Sequence, residues 1–90
     1  MGPFRPTILP RFKRARQRKP RHMQRSLDEC IELLLKNPRH PGLHTHRVQG
    51  TKRVWESYID YANRVTWEYG EERTIVLRNN CNHDVPGRNP

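Results

Sequence analysis

The hydrophobic pattern of this chain changes its period near residue 44, and that change limits the folds open to it. Over residues 22–36 the apolar positions recur every three or four residues, as on one face of a helix. They are Met23, Leu27, Cys30, Ile31 and Leu34. After residue 44 apolar and polar residues alternate, which is typical of strands. Helices followed by strands predict an α+β domain, with the helices packed on one face of a sheet.

Proline marks the ends of the two predicted helices. Pro10 suits the first turn of a helix, and Pro20 stops the helix that begins there. The second helix ends before Pro38, because the residue preceding a proline avoids the helical conformation. Ser26 with Glu29 is a candidate capping box, which would place the start of the second helix at Ser26.

The strands are predicted from the alternating segments. They cover residues 44–49, 53–61, 64–69 and 73–78. The last has a nearly continuous apolar centre, as a central strand would have, whereas residues 3–9 contain two prolines and allow an edge strand at best. We therefore predict a helical hairpin on a four- to five-stranded, mostly antiparallel sheet. With room for one core, residues 1–90 form a single domain whose tail, 85–90, is loose.

Positive charge is concentrated at the start of the chain. Of 18 basic residues, nine lie in residues 1–25, which contain no acid, so this segment carries the whole net charge of +9. Such a block typically binds a polyanion or an acidic protein; the alternative is a solvated helix face. No segment approaches the ~18 apolar residues of a membrane span, and no secretory signal is expected. Two cysteines make no disulfide framework, so we expect a cytoplasmic protein without a membrane partner.

Two pairs of residues raise the possibility of a metal site. His44-x-His46 and Cys81-x-His83 could converge on one Zn²⁺, but neither spacing is a standard zinc pattern. Alternation in a strand accounts for His-x-His equally well, so no metal or other cofactor is predicted. Similarly, the two tryptophans could stack on bases but are more typical of a core, and Cys30 is more typical of a small buried hydrophobe than of a reactive thiol.

Short sequence stretches occur in an order that resembles a known family. They are Leu-Leu-x-Asn-Pro-x-His-Pro-Gly-Leu at 34–43, His46-x-x-x-Gly50, Trp55-x-x-x-Ile59, Arg64-Val65, and Ile75-x-Leu77 leading to Cys-Asn-His-Asp at 81–84. Together they resemble the RelE/ParE superfamily of toxins from toxin–antitoxin systems, and most of all its YafQ-type branch. The resemblance implies a ribosome-dependent mRNA endonuclease that inhibits translation. Its partners would be the ribosome, mRNA and an acidic antitoxin, with operator DNA reached only through the antitoxin complex.

The resemblance also implies roles for particular residues. In such enzymes the 2′-OH of the RNA attacks the adjacent phosphate without a metal, which requires a base, an acid and cations. His46 and His83 match the family's histidines, and His83 is the usual candidate for acid or base. Asp84 could orient His83, and Arg64 could stabilise the charge on the phosphate.

Further cations are candidates for RNA binding. Lys52 and Arg53 lie in a predicted turn and could contact backbone phosphates. Arg11, Arg14 and Arg18 could bind ribosomal RNA or line a groove that receives an acidic antitoxin helix.

Two departures from the family keep a second function open. The family often has an aromatic residue four positions after the last histidine, where this chain has Gly87, and Asn63 replaces an acid. The alternative is therefore a non-catalytic toxin, such as a gyrase inhibitor, or a basic RNA- or protein-binding module.

Overall fold

Two helices and five strands follow the order that the change in period predicts. The computed structural model describes residues 3–82, excluding the side chain of Asn82. The elements are β1 (Arg5–Ile8), α1 (Pro10–Gln17), α2 (Arg21–Lys36), a 3-10 turn (Pro41–Leu43), β2 (His46–Arg47), β3 (Trp55–Tyr58), β4 (Asn63–Tyr69) and β5 (Thr74–Asn82). The α+β prediction is confirmed.

The strands form one mixed sheet in the order β1-β5-β4-β3-β2. Strands β2 to β5 form an antiparallel meander, and β1 pairs in parallel with β5. The predictions of an edge strand near the start of the chain and a central last strand are therefore both confirmed.

The core lies between the helices and one face of the sheet. Its buried members are Phe12, Leu27, Cys30, Leu34, Leu43, Val65, Trp67, Ile75 and Leu77. The predicted apolar face of α2 supplies three of them. Burial of each large side chain stabilises the fold by about 1.5–3 kcal/mol. Burial also raises the pKa of the Cys30 thiol to about 12, which agrees with its interpretation as a buried hydrophobe.

The predicted capping box of the second helix is wrong. Helix α2 begins at Arg21, directly after Pro20, so Ser26 lies inside the helix. There its hydroxyl donates to the carbonyl oxygen of His22, one turn earlier. Residues 21–25, which precede the predicted cap, are also helical, because Pro20 sets the backbone conformation from which the helix starts.

Three strand lengths also differ from prediction. Strand β2 has only two residues, since His44 adopts a left-handed conformation (φ 49°) just before it. Strand β3 ends at Tyr58, where a tight turn begins. Strand β5 continues to Asn82 although its sequence becomes polar, because β4 keeps pairing with it as far as Asn63.

A bulge between β4 and β5 turns one polar side chain into the core. The register shifts between Thr66 and Trp67, so that Leu77 and Asn80 both face the helices. Asn80 then donates from Nδ2 to the carbonyl oxygen of Phe12, 3.0 Å away, and ties the sheet to α1. No helix within residues 3–82 is long and apolar enough to cross a membrane.

An ion pair joins the two helices and should make the hairpin sensitive to acid. Arg16 donates to both carboxylate oxygens of Asp28, at 2.9 and 2.7 Å, and this hydrogen bonding lowers the pKa of Asp28. A lowered pKa means that the pair stabilises the fold above the unfolded pKa of about 3.9 and is lost as pH falls through the folded pKa. We expect Asp28→Asn to lower the free energy of unfolding by about 0.5–1 kcal/mol near neutral pH, since the pair is partly exposed.

Urea denaturation between about pH 7 and about pH 3 checks this expectation. The difference in the free energy of unfolding between Asp28→Asn and the wild type should shrink as the pH falls. Glu29→Gln, an exposed change on the same helix, is the matched control. A difference that stays constant with pH would contradict the assignment.

Candidate functional site

The candidate site lies on the sheet face opposite the helices. Because side chains alternate along a strand, Glu56 and Tyr58 on β3 point away from the core that Trp67 occupies. Arg64 on β4 pairs with Tyr58 in register and lies on the same face. Glu56 and Arg64 are nevertheless only 6% and 3% exposed, so this face holds a buried pair of opposite charges.

The Arg64 guanidinium holds the β3–β4 turn. Its Nη1 donates to three carbonyl oxygens of that turn, those of Asp60, Tyr61 and Asn63, at 2.6, 2.7 and 3.2 Å. The turn is closed from the other side by the Asp60 carboxylate, which accepts from the amides of Ala62 and Asn63. Burial opposes ionisation of Asp60, but these hydrogen bonds, one from the Asn63 side chain and the charge of Arg64 lower its pKa. Asn63 thus serves the turn, through its amide and its side chain.

The same guanidinium also contacts Tyr58 and Glu56. It lies over the Tyr58 ring, 3.5 Å from the centroid, in a cation–π contact. Its Nε is 3.5 Å from Glu56 Oε1 and makes an ion pair there without a well-directed hydrogen bond. Arginine stays charged in proteins, so Arg64 places a fixed positive charge beside this carboxyl group.

Glu56 links Arg64 to His46. His46 Nε2 lies 3.2 Å from the same Oε1 atom, and His46 Nδ1 lies 3.1 Å from the carbonyl oxygen of His44. Both ring nitrogens therefore face acceptors: a neutral ring can donate to one of them, and an imidazolium would donate to both. The His46 side chain is 50% exposed, so the ring is open to a ligand. The arrangement suits a general acid beside a buried counter-ion.

Cys81 borders the cluster but is not a nucleophile in this setting. It lies opposite Arg64 on β5 and is half-buried. Burial, with a smaller contribution from the Glu56 charge, raises the pKa of its thiol; Lys19 and Arg64 oppose the shift. The thiol therefore stays protonated at neutral pH.

The structure brings together two of the four predicted catalytic residues. His46 and Arg64 meet through Glu56, whereas His83 and Asp84 lie outside the described residues, as does Gly87. Sequence reasoning missed Glu56. Its position two residues before Tyr58, on the polar face of an alternating strand, was the available signal.

The predicted RNA-binding cations divide into exposed and engaged residues. Arg14 and Arg18 are exposed on or next to α1, and Lys52 and Arg53 are exposed between β2 and β3. Arg11 instead donates to the carbonyl oxygen of Arg78, 3.0 Å away. Among residues 3–82, no three His, Cys, Asp or Glu side chains are grouped as a metal site requires.

Comparison with known proteins places the fold. No family model matches the chain, and no curated protein does. RelE in the archaeal RelE–RelB complex from Pyrococcus horikoshii OT3 aligns with a TM-score of 0.75 at 16% identity, covering 93% of this chain and 99% of that one. A chain of the RelBE2 toxin–antitoxin complex of Mycobacterium tuberculosis gives 0.75 at 12%, covering 91% and 100%. YafQ of E. coli gives 0.74 at 10%, covering 90% and 94%. The chain therefore has the RelE/ParE-like toxin fold.

Proposed function

We propose that this chain, with its RelE/ParE-like toxin fold, is the toxin of a toxin–antitoxin pair and a metal-independent, ribosome-dependent mRNA endonuclease that inhibits translation. The observation that carries the proposal is the His46–Glu56–Arg64 cluster on the open face of the sheet. It joins a half-exposed imidazole to a buried pair of a carboxylate and a guanidinium, which suits acid–base chemistry on a polyanion.

The proposed reaction is a transesterification at one phosphate of the RNA strand. The 2′-oxygen bonds to the adjacent phosphorus, and the bond from phosphorus to the 5′-oxygen of the next nucleotide breaks. The 2′-OH gives up one proton and the leaving 5′-oxygen takes up one, so the products are a 2′,3′-cyclic phosphate and a 5′-OH end. The imidazolium of His46 donates the proton to the leaving oxygen. By resemblance, His83 with Asp84 is the proposed base for the 2′-OH.

Arg64 acts in this proposal mainly as a positioning residue. Its Nη1 is occupied by backbone carbonyls, and its Nε faces the carboxylate that orients His46. Its charge still lies near the reacting phosphate and favours the negative charge that develops there.

The proposed partners are an acidic antitoxin, the ribosome and mRNA, with operator DNA bound only through the antitoxin complex. The antitoxin is supported by the solved complexes, in which toxins of this fold are bound to RelB or DinJ. The ribosome is supported by the exposed cations Arg14, Arg18, Lys52 and Arg53, which suit phosphate contacts.

Induced expression followed by primer extension on a translated message tests the function. We expect cleavage within the translated region, and in vitro cleavage that requires ribosomes. A second candidate, a non-catalytic gyrase inhibitor, is favoured by Asn63 and Gly87 in place of the family's acid and aromatic residue. Growth inhibition with intact messages and impaired DNA supercoiling would select it instead.

The exposed cations of the first helix should control ribosome association. We expect Arg14→Ser/Arg18→Ser to weaken binding and to reduce the slope of log affinity against log salt by about one for each phosphate that is no longer neutralised. Cosedimentation at several salt concentrations measures both. Arg5→Ser/Arg73→Ser removes equal charge near Glu72 and is the matched control. An unchanged slope in the first variant would place the ribosome-binding surface elsewhere.

A further inference from the structure

A separate pocket of about 380 Å³ lies where the loop after α2 approaches β3 and β4. Its aromatic walls belong to Trp55, Trp67 and Tyr69. Trp55 and Trp67 pair across the two strands on the core side of the sheet, opposite Glu56. The pocket is thus on the other face from the His46 cluster, and its volume falls within the range of about 300–1,000 Å³ typical of small-ligand sites.

The aromatic rings form a continuous wall. The Trp55 and Trp67 rings lie nearly parallel, with centroids 6.2 Å apart. The Tyr69 and Trp67 rings pack edge to face, with centroids 4.9 Å apart. Trp67 is fully buried, whereas Trp55 is half-buried and Tyr69 is 45% exposed. Trp55 and Tyr69 therefore offer ring surface to a flat ligand.

A chain of hydrogen bonds holds this wall against the loop. Trp67 donates from Nε1 to Ser57 Oγ at 2.9 Å, and Thr45 Oγ1 donates to the carbonyl oxygen of Pro38 at 3.2 Å. The hydroxyls of Ser57 and Thr45 are 2.7 Å apart. Since the proton of Thr45 is used on Pro38, Ser57 must be the donor between them. The chain runs unbroken from the pocket floor to the loop, so the pocket exists before a ligand enters.

The rim of the pocket is basic. Arg39, His40 and His44 line it, and none of its other lining residues within 3–82 is acidic. His40 Nδ1 accepts from the amide of Gly42, so the neutral ring carries its proton on Nε2 as a donor. Aromatic walls below cationic and donor groups suit a flat base that carries a phosphate, and the arginine argues against a cationic ligand.

We propose that this pocket binds a single nucleotide, with its base against Trp55 and Tyr69 and its phosphate near Arg39. The inference deepens the proposed function by adding an RNA subsite away from the cleavage site, and it rests on that function for the source of the nucleotide. His44 borders both regions, since its ring lines the pocket and lies 5.0 Å from the Tyr58 ring.

The chain carries its own probe for this pocket. It has two tryptophans, and both line the cavity, so intrinsic fluorescence reports on its occupancy. We expect saturable quenching by adenosine 5′-monophosphate, weaker quenching by adenosine, and none by inorganic phosphate. Single-stranded oligoadenylate is the second arm, which separates an RNA base from a free nucleotide as the occupant.

Two variants test the assigned contacts. Arg39→Gln should weaken binding of the monophosphate about three- to fivefold while leaving adenosine unchanged. Trp55→Leu should weaken binding of the monophosphate and of adenosine about five- to hundredfold, as measured by calorimetry. The fluorescence of Trp67 reports whether this variant keeps the fold. Lys36→Gln removes an exposed cation of α2 that does not line the pocket, and it should leave both affinities unchanged.

The outcomes are distinct from those of the cleavage experiment. Binding of oligoadenylate that depends on Trp55 and Arg39 supports an RNA subsite, and such binding of the monophosphate alone supports a free-nucleotide site. Absence of saturable quenching by either probe overturns the proposal, as does quenching unaffected by both variants. Quenching by an acidic peptide but by no nucleotide would also overturn it. None of these results depends on whether the chain cleaves RNA.

Discussion

Replacing His46 with alanine is expected to lower the rate of RNA cleavage by about 10²–10⁴-fold, the usual contribution of a proton-transfer group. In the proposed mechanism the His46 ring supplies the leaving 5′-oxygen with a proton, and alanine supplies none. Because the His46 side chain is half exposed, its loss should leave the free energy of unfolding nearly unchanged. Growth inhibition by the expressed chain should be relieved accordingly.

Single-turnover cleavage on programmed ribosomes measures this effect. His22→Ala removes another exposed histidine, at the start of α2, and is the matched control. Glu56→Gln should also reduce the rate, but less, because it removes only the carboxylate that contacts the His46 ring. Full activity of His46→Ala at equal expression would remove His46 from the mechanism.

Replacing Arg64 with alanine should lower the free energy of unfolding by about 3–5 kcal/mol, as when one partner of a buried ion pair is removed. Its loss leaves Glu56, 6% exposed, with His46 as its one remaining ion-pair partner among residues 3–82. It also removes the donor to three carbonyl oxygens of the β3–β4 turn. The free energy of unfolding of a small domain is about 5–15 kcal/mol in total. Any loss of toxicity in this variant should therefore accompany partial unfolding.

Urea denaturation of Arg64→Ala against Arg47→Ala checks this. Arg47 is exposed on β2, and its replacement should cost less than about 0.5 kcal/mol. The comparison separates two roles that toxicity alone cannot distinguish. Unchanged stability with lost cleavage would show that the guanidinium acts on the phosphate rather than on the fold.

Features set by local pattern could be predicted from the sequence. The apolar face of α2 is such a feature, because Leu27 and Leu34 recur at the helical period and are both fully buried. The parallel pairing of β1 with β5 could not be predicted in the same way, since it joins residues 5 and 74, and nothing local specifies that contact. The extension of β5 was missed because Asn79, Asn80 and Asn82 are polar, and their strand conformation depends on the partner β4.

The candidate site was predictable only in part for the same reason. His46 and Arg64 were identified by resemblance, each as an isolated residue. Their connection depends on Glu56, which faces His46 only because β2 and β3 pair in a particular register. That register follows from the loop between the two strands, whose geometry sequence patterns do not specify.

The parallel edge strand β1 also bears on how separate copies of the chain behave. The amides of Arg5 and Leu9 donate toward β5, so by alternation Pro6 and Ile8 direct their backbone outward. Proline has no amide hydrogen, which leaves Ile8 as the one outward N–H within Arg5–Ile8. The opposite edge, β2, is two residues long. Neither edge offers enough free backbone groups to pair with a long strand of another copy. The chain should therefore resist edge-to-edge aggregation at high concentration.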